Sequence, residues 1–274
     1  MLNPVTIVTA FFDINRSEKG DGRTIEEYKQ WIKHTLELNC NLFIVTEEKF
    51  KDFFLENRNC EKYPTFLQII SITDLHFYQY YDRMKDIILS DEYKQHIAYP
   101  NRVECVLPEY SIIQYSKFHC LKIAMDLNPF QSETFFWMDA GISRFFEDID
   151  ISQPFPSNDG LHLIKNSGNK FICQSRPDID QYNIDETFIW KADNLIYGGM
   201  FGGSPQTIDF IFFHVDFVFS NIMLKSRNVN NEQLTLAIIY KNFPTIFSIC
   251  NTYENKPVYL LQLLSSSYNI EYRI

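Results

Sequence analysis

The run Thr134-Phe135-Phe136-Trp137-Met138, closed by Asp139-Ala140-Gly141, constrains the fold of this chain more than any other stretch. Five consecutive apolar or β-prone residues without polar alternation fit a strand covered on both faces, as in the middle of a largely parallel sheet. In such sheets ligands lie in the crevice outside the carboxyl ends of the strands. Asp139 therefore leaves the core where small molecules bind, and Ala140 and Gly141 let a ligand or metal approach the backbone closely. A strand-end Asp that only caps the next turn fits the same residues. The rest of the chain has to decide between them.

The preceding chain supplies the rest of such a sheet. Residues 5–12 form a β-branched and aromatic run and read as the first strand. Thr24 and Glu27 have capping-box spacing, and Ile25, Tyr28, Trp31, Ile32, Thr35 and Leu36 recur at helical spacing behind them. Residues 42–46 give a second strand and complete a β-α-β opening. A short helix over 49–56, a third strand over 66–72, helices over 81–89 and 91–97, and a loop over 100–108 follow. A long helix over 109–127 is stopped by Asn128-Pro129. Further on, residues 160–164 and 171–173 read as short strands around a hairpin-like turn at 166–169. Gly198-Gly199 and Gly202-Gly203 read as a glycine-rich turn, or as a place where backbone approaches a ligand. Ser204-Pro205 then starts a buried helix, Asn230-Asn231-Glu232-Gln233 opens another over 234–240, and 247–250 and 258–261 read as terminal strands. Without an internal repeat or a linker-like tract, residues 1–274 read as one α/β domain with a mixed, mostly parallel sheet flanked by helices.

Charge narrows the function. With 25 basic against 35 acidic side chains and a formal charge of −10, the chain is a poor match to a nucleic acid. A nucleotide ligand needs only local donors and stays open. The most apolar later segment, residues 208–219, is interrupted by Asp209, His214 and Asp216. It is also shorter than the roughly 20 residues of a membrane-spanning helix, so no transmembrane segment is expected. Six scattered cysteines without CxxC or zinc spacing, and an opening that leads straight into a strand, point to a soluble protein of a reducing, cytoplasmic compartment. No Walker-type loop or GxSxG elbow is present, which weighs against a phosphotransferase or hydrolase.

Three blocks together carry a resemblance. Thr6-Ile7-Val8-Thr9-Ala10-Phe11-Phe12-Asp13-Ile14, Phe136-Trp137-Met138-Asp139-Ala140-Gly141-Ile142 and Asn231-Glu232-Gln233 occur in the order seen in the HtrL/YibB family, which resembles glycosyltransferases of the GT-A fold. A more distant likeness links Phe201-Gly202-Gly203-Ser204-Pro205 and Asn231-Glu232-Gln233-Leu234 to elements of the retaining transferases of the histo-blood-group type.

The resemblance implies a single GT-A-like domain. It would move a sugar from a nucleotide-diphosphate donor, a UDP-sugar above all, to a glycan, lipid or protein acceptor. Thr9, Phe11 and Asp13 would contact the nucleoside. Arg16 would pair with ribose or diphosphate, although a solvated loop arginine fits equally, and Lys117 would be a second diphosphate contact unless it is the wet side of its helix. Asp139 takes the place of the metal-binding DxD motif and would hold Mn²⁺ or Mg²⁺. Gly141 replaces the second aspartate of that motif, so an inactive nucleotide-sugar-binding or scaffold protein is the alternative. Ala140, Gly141, Gly198 and Gly199 would lie against the donor. Glu232 would act as nucleophile, charge stabiliser or base beneath the anomeric carbon, with Gln233 bonding the sugar. His162 and His214 read as structural, and a homo-oligomer is compatible with the sequence.

Overall fold

The computed structural model describes residues 4–146, 149–251 and 258–265. In chain order, β1 (Val5–Phe11) is followed by α1 (Arg16–Lys19), α2 (Ile25–Thr35), β2 (Asn41–Thr46), α3 (Lys51–Asn57) and β3 (Thr65–Ile69). Three short helices, α4 (Tyr81–Leu89), α5 (Asp91–His96) and α6 (Val103–Val106), lead into the long α7 (Pro108–Leu127) and then β4 (Thr134–Met138). The second half contains α8 (Asn158–Ser167), β5 (Phe171–Ser175), β6 (Ile196–Gly203), α9 (Pro205–Val218), α10 (Glu232–Asn242), β7 (Phe247–Asn251) and α11 (Tyr259–Leu264).

All seven strands join one sheet in the order β3-β2-β1-β4-β6-β5-β7. β6 runs antiparallel to both of its neighbours, and every other pairing is parallel. This is the mixed, mostly parallel α/β sheet that the sequence predicts. The central strands are covered on both sides, because alternate residues feed two separate cores. Val8, Ala10, Phe43, Val45, Phe135 and Trp137 pack on one face with Phe118 and Leu121 of α7 and Ile211 and Val215 of α9. Ile7, Phe11, Leu42, Ile44, Phe136 and Met138 pack on the other with Ile32 of α2 and Leu260, Leu261 and Leu264 of α11. From β1 the sheet grows outward through β2 and β3, and from β4 it grows the other way. The β1–β4 boundary is therefore a topological switch point.

Four sequence expectations are corrected. Residues 160–164 belong to helix α8, not to a strand. Gly160 sits where α8 meets α11, with its Cα side against the backbone of Leu264, and Gly168, expected in a hairpin, ends the helix at φ 60°. Residues 258–261 enter helix α11, whose apolar residues are buried all round. The glycine-rich run is no turn: it is strand β6. Finally, the loop expected over 100–108 contains α6.

Candidate functional site

A cleft opens outside the carboxyl ends of β1 and β4, at the switch point. Phe11, Phe12, Ile14 and Arg16 line it from the end of β1, and Asp139, Ala140, Gly141 and Arg144 line it from the end of β4. From α7 come Tyr110, Ile113, Gln114 and Lys117, which recur at helical spacing and so share one face of the helix. Tyr28 on α2 and Trp137 at the end of β4 add further aromatic surface. The enclosed part measures about 150 Å³, below the ~300–1,000 Å³ of sites that swallow a whole cofactor-sized ligand. A larger ligand would lie partly across the rim.

Helix α2 and the turn after β4 hold each other in place. Thr35 Oγ1 donates to the Ala140 carbonyl at 3.1 Å, and Ser143 Oγ donates to the Trp31 carbonyl at 2.5 Å. Arg144 donates from Nε to the Gly141 carbonyl at 2.9 Å and stacks over Trp31 at 4.6 Å. Its remaining guanidinium N–H groups have no partner among the described residues.

At the floor of the cleft, one ammonium gathers three oxygens. Lys117 Nζ lies 2.8 Å from Glu232 Oε1, 3.0 Å from Asp139 Oδ1 and 2.9 Å from the Gly198 carbonyl. Trp137 Nε1 donates to the same Asp139 oxygen at 2.7 Å. The Lys117 and Glu232 side chains are 7% and 0% exposed, whereas Asp139 is 42% exposed. Burial would lower the Lys117 pKa, but Asp139 and Glu232 raise it more, so the amine stays charged. For Glu232, burial raises the pKa and Lys117 only partly reverses it.

The donor set around Asp139 bears directly on the expected divalent ion. The oxygens that face one another already surround the Lys117 ammonium. Two carboxylate oxygens remain: Glu232 Oε2 is buried without a partner among the described residues, and Asp139 Oδ2 belongs to the more exposed of the two acids. No group of three His, Cys, Asp or Glu side chains stands together among those residues. The inward carboxylate oxygens thus fit an ammonium, and a Mn²⁺ or Mg²⁺ ion, which completes an octahedral shell with waters and phosphate oxygens, would find Asp139 Oδ2 as its one accessible carboxylate oxygen here.

Of the residues singled out in the sequence, Phe11, Arg16, Lys117, Asp139, Ala140 and Gly141 line the cleft. Arg16 is no solvated loop arginine. It is buried on α1, held by Asp21 at 2.6 and 2.7 Å, and lies under Tyr110 at 4.6 Å. Lys117 is likewise not the wet side of its helix. Thr9 is buried within β1 with its Oγ1 unpartnered among the described residues, and Asp13 is engaged by Lys49 at 3.1 Å. Gly198 and Gly199 lie on β6 behind the cleft, where Gly199 accepts from Asp139 N at 2.9 Å. Gln233, the second residue of α10, lies beside Gly198. Glu232 has no exposed surface at all, so in this arrangement it reaches Lys117 and not a ligand in the cleft.

Sequence reasoning missed Tyr28, Arg23, Tyr110, Gln114 and Arg144 as cleft residues. The stripe 110, 113, 114, 117 on a helix that precedes the Asp139 strand was the available signal. Gln114 is buried, yet its Oε1 has no partner among the described residues. A buried acceptor left unmatched costs about 1–3 kcal/mol, and a ligand in the cleft would relieve it.

A family model described as "Bacterial protein of unknown function (HtrL_YibB)" matches residues 3–256. No curated protein matches the chain. Among solved structures, mouse xyloside xylosyltransferase 1 in its apo form aligns at TM-score 0.43 and 10% identity over 89% of this chain and 84% of that one. The 4-diphosphocytidyl-2C-methyl-D-erythritolsynthase from Anaerococcus prevotii DSM 20548 aligns at TM-score 0.37 and 12% identity over 95% and 94%. The inositol-1-phosphate CTP transferase from T. maritima aligns at 0.38 and 13% over 96% of both chains. At such scores and identities, what those proteins do is not carried to this chain.

Proposed function

The chain belongs to the HtrL_YibB family, and we propose that it transfers a sugar from a nucleoside-diphosphate donor, a UDP-sugar, to the hydroxyl of an acceptor. One observation carries this reading. In a chain with 35 acidic and 25 basic side chains, Arg16, Arg23, Lys117 and Arg144 line the cleft at the β1–β4 switch point; Asp21, Asp139 and Glu232 pair with the first three, and Arg144, held only through Nε by the Gly141 carbonyl, has no carboxylate partner among the described residues. This unpaired guanidinium in an acidic chain favours a phosphate-bearing ligand, because guanidinium groups match phosphate oxygens in pairs. The aromatic walls, Tyr28, Tyr110, Phe11 and Trp137, supply flat surface for a base. The buried Gln114 amide supplies an unmatched acceptor for an N–H group.

The transfer breaks the bond between the anomeric carbon and the diphosphate oxygen, and the electron pair stays on the diphosphate. The acceptor oxygen bonds the anomeric carbon and its proton leaves to a base. We assign that role to Asp139, the exposed carboxylate of the cleft. Glu232 acts through Lys117, whose position it fixes. Among the described residues no helix is long and apolar enough to cross a membrane, and free cysteines fit the reducing compartment that we assign to it.

The test is release of UDP from a panel of UDP-sugars, with and without a mixture of glycan, lipid and peptide acceptors. The proposal expects sugar-selective release that falls about 100-fold or more in Asp139→Asn. Absence of release from every UDP-sugar, in a protein that binds UDP, would favour the second reading, binding without turnover. That reading is supported by the complete burial of Glu232.

A further inference from the structure

We propose that this site binds the donor diphosphate without a divalent ion: Lys117 fills the ion's place between Asp139 and Glu232, and Arg144 takes the phosphate charge. The inference rests on the nucleoside-diphosphate reading of the cleft and names how that ligand is neutralised.

Three features of the geometry support it. The Lys117 ammonium donates to Glu232 Oε1 and to the Gly198 carbonyl and forms an ion pair with Asp139 Oδ1. The two carboxylate oxygens that face each other between Asp139 and Glu232 are thereby occupied by a cation built into α7. Second, the chain carries Gly141 where a two-carboxylate motif would place its second acid. Arg144 anchors its Nε to that same residue's carbonyl. Where an acid would recruit a metal, the turn instead positions a guanidinium. Third, Arg144 differs from its neighbours in the cleft. Arg16 is neutralised by Asp21, Arg23 lies 3.6 Å from the same carboxylate, and Lys117 is paired twice. Arg144 has no carboxylate partner among the described residues. Stacking on Trp31 fixes its plane, and its two terminal nitrogens keep a fork of donors that suits two phosphate oxygens.

Lys117 is thus a positioning residue: it is buried against three protein oxygens, and it keeps Asp139 and Glu232 from repelling an incoming anion. Arg144 is the residue that touches the diphosphate.

The experiment is calorimetric titration of UDP into protein stripped with EDTA, repeated with Mn²⁺, together with titration of Mn²⁺ alone followed by its electron paramagnetic resonance. The proposal expects wild-type affinity for UDP to agree within about twofold in the two conditions, which is under half of the 1.4 kcal/mol that tenfold represents. Arg144→Ala, an exposed position, should weaken UDP about tenfold or more in both. Wild type should take up no Mn²⁺ in the cleft, while Lys117→Met, with both carboxylates freed, should gain a Mn²⁺ site. Binding of UDP only when Mn²⁺ is present would overturn the inference and leave the nucleotide reading standing. So would unchanged affinity in Arg144→Ala, or a folded Lys117→Met that takes up no Mn²⁺. Absence of UDP binding under both conditions would overturn the nucleotide reading and the inference with it. If Lys117→Met does not fold, the wild-type and Arg144→Ala titrations decide alone.

Discussion

Gly198 leaves its side of β6 open to a carboxylate. A Cβ there would overlap Glu232 Oε1, so the backbone carbonyl, the acid and Lys117 can meet only while the position is glycine. Gly198→Ala is expected to lose about 1–3 kcal/mol, the usual cost of overpacking a tight site, and to weaken nucleotide binding, read from chemical denaturation and titration of the same sample. Lys117 is tested by pH. Removing the amine strands Glu232 as a buried charge, which costs about 3–5 kcal/mol. Burial already holds the Glu232 carboxyl above its ordinary value of 4.5, and loss of Lys117 pushes it further up. The folded state then binds a proton that the unfolded state releases, so the stabilisation is complete below about pH 4.5 and fades as pH rises through the raised value. The stability gap between Lys117→Met and wild type should narrow as pH falls from about 8 to about 5. A gap that stays constant with pH would show that Glu232 is not the stranded group.

Helix α10 begins where the site needs an acid, and its cap is what places it. Asn231 is buried, its Oδ1 accepts from Gln233 N at 3.1 Å and from Leu234 N at 3.4 Å, and its amide donates to Asn194 at 3.0 Å. Asn231→Ala should cost about 1–2 kcal/mol in a denaturation curve, with Asn231→Ser recovering most of it. Equal losses in both variants would place the effect outside the cap. The elements that the sequence misassigned were shaped by contacts between distant segments. β6 carries four glycines in eight residues, a poor strand by propensity, because Gly198 must admit Glu232 and a Cβ at Gly202 would overlap the Phe135 carbonyl. α8 alternates apolar and polar residues over Leu161-His162-Leu163 like a strand, yet Gly160 lets it lie against Leu264. By contrast β1, β4, α2 and α7 were legible, since each announces itself through a buried run, a cap or a helical period.

At the scale of the whole molecule, an acidic chain brings four cations, Arg16, Arg23, Lys117 and Arg144, to one switch point of the sheet. Asp139 was readable as a strand-end carboxylate because a run buried on both faces must end at the ligand-binding edge. Arg144, Gln114 and Tyr110 were not, because nothing local distinguishes them until α7 and the turn after β4 converge on the cleft. The central claim is that this cleft holds a nucleoside diphosphate. The most direct test is the thermal stability of the wild-type protein with UDP, GDP, CMP and ATP in turn. A ligand that binds only the folded state adds about 2.7 kcal/mol at 100 times its dissociation constant. The account predicts an upward shift of Tm with UDP that is reduced or lost in Arg144→Ala. No shift with any of the four nucleotides would contradict it.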